Sequence, residues 1–216
     1  MKVLSIALVA GVAAAFLLTA KFSAAEHRVV PLNVGTQPGG VGHGTPLHPA
    51  PGHALAIFSQ GCFWGVEYRF RQVPGVVATA VGYTGGQTEN PSYEAVSSHT
   101  TGQAESVLLE FDPKKVTYPQ LLTVFWATHD STSGDRQGPD RGSQYRSAIF
   151  TFGPEQLELA LASKADEQKH LVAPITTEVK AAGPFWVAEP EHQQWDERHG
   201  YESCPLPRHA EKKPGA

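Results

Sequence analysis

Only two cysteines and one methionine stand in the 216 residues, with no run of like charge, no internal repeat and no Cys-x-x-Cys pair. Each shortage excludes something. A formal charge of −4, without a basic stretch interleaved with aromatics, gives no electrostatic reason to bind nucleic acid. Cys62 and Cys204 lie 142 residues apart, whereas thiol–disulfide exchange catalysts usually carry a close pair. His43, His48 and His53 recur every five residues, a spacing that fits neither a helix face nor a strand face, so a solvated linker is expected there rather than a metal site. Met1 is the only methionine, so a chain trimmed of its first residues has none to oxidise.

The first 25 residues do not read as part of a fold. An uncharged run from Val3 to Ala20 follows Lys2, and Ser23-Ala24-Ala25 closes it, which is the layout of a signal peptide cleaved after Ala25. The alternative is an uncleaved membrane anchor, since the run is near the length that crosses a bilayer. No cysteine follows the run and no twin arginine precedes it. Cleavage removes Lys2 and Lys21 from 17 basic residues and none of the 21 acidic ones, taking the charge from −4 to −6. Either way the chain is expected in the periplasm or outside the cell, where disulfides persist. Residues 26–53 are rich in Pro and Gly and read as a flexible tether, leaving 54–216 as the functional domain.

From Ala54 onward, short apolar runs alternate with helical patterns. Strands are expected over 54–59, 76–83, 104–112, 145–152 and 175–180. Helices are expected over 63–72, 93–98, 118–129 and 154–170, the last opening on Pro154. The polar stretch 130–144 shows no period, and a loop of that length in a compact domain is usually functional or disordered. This order predicts an α+β fold of the ferredoxin-like, split-βαβ kind: a two-layer sandwich with a long irregular C-terminal coil.

"SQGCFWGVEYRF" places Cys62 at the turn into the first helix. There its sulfur would sit beside free backbone N–H groups at the positive end of the helix dipole, which favours the nucleophilic thiolate. Composition alone favours another reading, a stabilising Cys62–Cys204 disulfide in a secreted protein. Glu105 alternates with Val107 and Leu109 on an apolar strand face, where lost hydration would raise its pKa. A place at the end of the strand, open to water, is the alternative.

GCFWG, GYTGG, the stretch "RQGPDRGSQYRS" and TTEV, in this order and spacing, resemble peptide methionine sulfoxide reductase of the A type. The resemblance spans roughly Ala54 to Cys204. It implies that Cys62 attacks a sulfoxide sulfur and becomes a sulfenic acid. Glu105 is implied as the acid that protonates the oxygen, with Tyr93 and Tyr145 as donors to it. Phe63 and Trp64 are implied as the wall for the substrate's ε-methyl group. Asp140 is implied to lie near the substrate, although an Asx turn accounts for it as well. The resemblance also implies that Cys204 resolves the sulfenic acid as a disulfide, which thioredoxin or a similar dithiol reduces, with no bound cofactor. Here Glu202 and Ser203 intervene after Tyr201, where some family members read GYC directly, and Asp135 stands where several carry Asn.

The implied substrates are free methionine-S-sulfoxide and oxidised proteins. A monomer is expected, meeting a membrane only if the leader stays attached. Two further readings remain open at this point: a general thiol–disulfide oxidoreductase and a secreted binding module with a structural disulfide. A Cys/His hydrolase lacks a motif, with His129 as its one open candidate.

Overall fold

A computed structural model describes residues 49–201 and 212–213. The leader, most of the tether and Cys204 lie outside the described residues. No described helix is long and apolar enough to cross a membrane.

Four strands build the central sheet: β1 (Ala54–Gln60), β2 (Val76–Thr84), β3 (Ala104–Phe111) and β6 (Ser147–Thr151). They run in the order β6-β1-β3-β2 with every pairing antiparallel. Helix α1 (Phe63–Arg71) crosses from β1 to β2, and α3 (Tyr118–Ala127) lies between β3 and β6. This is the split-βαβ plan that the element order predicts. Two edge strands widen it. β7 (Glu178–Ala181) joins β6 in parallel, and β8 (Trp186–Val187) joins β2.

Side-chain alternation sorts the core into two clusters. Phe58, Val81, Val107, Leu109 and Ile149 face the helices, meeting Phe63, Val66 and Phe70 of α1 and Leu121, Leu122 and Phe125 of α3. Leu55, Ile57, Ala80, Leu108 and Phe150 point the other way, where Phe185 of the C-terminal segment packs on them. Both faces are therefore covered, and every residue of β3 is buried. α1 forms because Phe63, Val66 and Phe70 fall on one helical face. Val73-Pro74-Gly75 stops it, with Gly75 at φ +105°. α3 begins with a full capping box between Thr117 and Gln120. A short helix α2 (Tyr93–Ser97) and the long α4 (Gly153–His170) complete the helical set up to β7.

The polar stretch after α3 is ordered by side chains. It holds a minimal hairpin, β4 (Arg136–Gln137) with β5 (Asp140–Arg141), and a 3₁₀ turn at Ser143–Tyr145. Gln137 accepts from Asp130 N–H (3.1 Å) and donates to Asp130 O (2.7 Å) and Ser133 Oγ (3.0 Å). The TTEV segment fastens the same loop, since Thr176 N–H and Oγ1 both donate to Ser131 O. The C-terminal coil continues through a 3₁₀ turn at Pro190–His192 and α5 (Trp195–His199). At the other end, the described part of the tether docks on β3: Ala50 N–H and His53 Nδ1 reach Glu110 Oε1 at 3.0 and 2.7 Å.

Candidate active site

Cys62 is the N-cap residue of α1, partly exposed at the turn from β1, and its side chain does not cap the helix. Glu105 does. Its Oε2 accepts the N–H of Phe63, the first helical residue, at 3.1 Å. Register brings it there, because Glu105 faces the helix layer with Val107 and lies opposite Tyr83 of β2. At 2% exposure it occupies the inward position that the alternation predicts, not a solvated strand end. Burial pushes its pKa up to about 8, opposed by the Phe63 N–H and reinforced by Asp140.

Tyr93 stands at the start of α2 and Tyr145 at the end of the 3₁₀ turn. Burial raises both phenol pKa values, and the negative charges of Glu105, Asp140 and Cys62 raise them further. Each tyrosine therefore lies within electrostatic reach of those three groups, and both stay protonated donors. Asp140 sits half-buried on β5, and burial lifts its carboxyl pKa as well. The hairpin reaches the Cys62 turn because Gly61 permits it. Gly61 has φ +100°, and a Cβ there would lie 2.8 Å from Gln137 Cβ.

The aromatic side of the site is layered. Phe63 is fully buried, in ring contact with Tyr83 and His192. Trp64 is half-buried and stacks on Trp195 with ring centroids 4.1 Å apart, and its Nε1–H donates to His192 Nδ1 at 3.1 Å. His129 is bonded inside the core: Nδ1 reaches Phe125 O (2.8 Å) and Nε2 reaches Ser147 Oγ (2.7 Å). Both ring nitrogens are engaged there, which speaks against a Cys/His hydrolase.

Sequence reasoning missed the segment Glu189–Trp195. Glu189 accepts from Tyr83 Oη (2.9 Å) and from Tyr93 N–H (2.8 Å), and so sets the start of α2. Gln193 bonds both backbone groups of Val81 as an extra strand partner would. Gln194, held at φ +49°, donates through its N–H and Nε2 to Glu67, a fully buried carboxylate on α1 whose pKa burial raises. Arg71 and Glu197 close the same junction with an ion pair of 2.9 Å. The one signal available was Glu67 itself, an acid on the apolar face of a short helix.

A partly exposed cysteine at a helix N-terminus, beside a buried acid and two phenols, defines a thiol-dependent oxidoreductase on an α+β fold. The family model for peptide methionine sulfoxide reductase matches residues 54–214, and the chain belongs to that family. It is 48% identical to the peptide methionine sulfoxide reductase MsrA of Escherichia fergusonii, covering 73% of this chain and 81% of that one. It is 53% identical to the protein of the same name from Methanosarcina acetivorans, over 73% and 86% of the two chains. Among solved structures, methionine sulfoxide reductase A of Corynebacterium diphtheriae superimposes with a TM-score of 0.66 at 38% identity, covering 72% of this chain and 79% of that one. Mxr1 of Saccharomyces cerevisiae in its reduced form gives 0.69 at 30% identity, covering 76% and 96%. The same yeast protein, solved in complex with Trx2, shares the fold with a TM-score of 0.52 at 23% identity, covering 76% and 96%.

Proposed function

We propose that the chain reduces methionine-S-sulfoxide, free or in proteins, to methionine. The observation that carries this is the pairing of Glu105 with the helix of Cys62: a carboxyl still protonated at neutral pH, bonded to the N–H next to the nucleophile. The Cys62 thiolate attacks the sulfoxide sulfur while Glu105 gives its proton to the oxygen, with Tyr93 and Tyr145 donating hydrogen bonds to it. The resulting S–S(OH) adduct collapses as hydroxyl passes to Cys62. Methionine leaves reduced by two electrons, and Cys62 is left oxidised by two as a sulfenic acid. Trp64 offers its half-buried indole to the substrate's methyl group, with Phe63 sealing the floor behind it. Asp140 orients the polar side of the pocket.

Cys204 then attacks the Cys62 sulfur, expelling the oxygen as water and forming a disulfide. A thioredoxin-like dithiol reduces it, a reading supported by the yeast complex, and the scheme uses no other cofactor. The apolar leader supports export to the periplasm. The test is to mix reduced enzyme with each sulfoxide epimer, without reductant, and count methionine. About one methionine per enzyme from the S epimer alone is expected. None from either epimer overturns the reading.

A further inference from the structure

His192 lies at the centre of the aromatic side of the site, 8% exposed. Its ring centroid is 5.5 Å from that of Phe63, 5.7 Å from Trp64 and 4.5 Å from Tyr93. An indole N–H can only donate, so the 3.1 Å bond from Trp64 Nε1 requires an unprotonated Nδ1. The proton of the neutral ring then belongs on Nε2, which lies 3.8 Å from Glu189 Oε2. Stacking on Trp195 fixes the plane of the Trp64 indole but not its rotation within that plane. The bond to His192 fixes the rotation.

We propose that His192 is a positioning residue for substrate capture: its neutral ring locks the Trp64 indole in place, and protonation of Nδ1 releases it, loosening the substrate wall in acid. The groups facing His192 are Glu189 and Glu191 on its own turn, Arg198 of α5, Tyr93 of α2, and Phe63 and Trp64 of α1. Burial lowers the imidazole pKa, opposed by the two glutamates and aided by Arg198, so the locked form prevails at neutral pH. The inference rests on the proposed reading that Trp64 receives the substrate's methyl group.

The test is single-turnover reduction of a peptide methionine-S-sulfoxide by rapid mixing, without reductant, across acid to neutral pH. Half-saturation and maximal rate are read separately for the native protein, His192→Ala and His192→Asn. Asn brings an acceptor oxygen near the place of Nδ1 and does not titrate. His192→Ala is expected to raise the half-saturating concentration about five- to tenfold at neutral pH, the loss of one hydrogen bond, with little change in maximal rate. The native protein should bind more weakly below the ordinary imidazole range, while His192→Asn stays flat there. An unchanged half-saturation in His192→Ala, or an acid weakening in His192→Asn equal to the native one, overturns the proposal. If the Ala variant does not fold, the Asn pH profile decides alone. A native protein that yields no methionine at any pH overturns the functional reading along with it.

Discussion

Glu105 Oε2 takes the backbone N–H of Phe63 at 3.1 Å, so the acid on β3 caps the helix that carries Cys62. The two groups are coupled through the backbone. α1 cannot slide against β3 without leaving a buried N–H unpaired, at a cost of about 1–3 kcal/mol. The positive helix end favours the carboxylate, yet burial outweighs it and keeps the proton on Glu105 up to about pH 8.

Replacing the two thiols separates the half-reactions. Cys62→Ser is expected to yield no methionine from either epimer. Cys204→Ser is expected to yield about one methionine per enzyme and then stop, with a sulfenic acid trapped by a dimedone label. Continued cycling of the Cys204 variant with thioredoxin would remove that residue from the resolving role.

Glu105→Gln is expected to slow the single-turnover rate by about 10²- to 10⁴-fold, the usual worth of a positioned acid. In the native protein the acid loses its proton as pH passes about 8, so the rate should fall there. Stability follows the same titration. The folded pKa lies above the ordinary 4.5, so the native state holds the extra proton between 4.5 and about 8. This contribution is complete below 4.5 and lost as pH rises through that window. Urea titrations at pH 5 and pH 8 should show a larger drop for the native protein than for Glu105→Gln.

Gly61→Ala places a side chain at φ +100° and against Gln137 Cβ. Strain of about 1–3 kcal/mol is expected as a lower urea midpoint. Activity should fall with it, because the displaced hairpin carries Asp140 and leads into Tyr145.

Arg71→Met breaks the 2.9 Å ion pair with Glu197, both side chains being at most 5% exposed in the native protein. A loss of about 3–5 kcal/mol is expected from denaturant unfolding. The double variant Arg71→Met/Glu197→Leu should recover part of it, because it replaces both members of the buried pair with apolar side chains.

The sequence made the βαββαβ core readable because its strands and helices carry strong periods. α1 runs Phe63–Arg71 and β3 runs Ala104–Phe111, each within a residue of the expected limits. The inward turn of Glu105 followed from the same alternation. The hairpin at Arg136–Arg141 was not readable, since two-residue strands carry no period and Gln137 holds them with a side chain. The clamp from Glu189 to Trp195 was equally hidden. Its partners on α1, α2 and β2 lie about a hundred residues away, and nothing local in "EPEHQQW" marks Gln194 for a left-handed backbone. Local pattern shows where a chain folds, and long-range polar pairing shows what it holds.

β3 runs between β1 and β2 with both faces covered, and that arrangement has a bearing on solvent exchange. Amide protons of a strand so enclosed trade with deuterium mainly through whole-molecule opening, whereas loop fluctuations leave them untouched. The acid on that strand spends its proton in every turnover, so the replacement has to arrive from the substrate side of the site and not through the sheet.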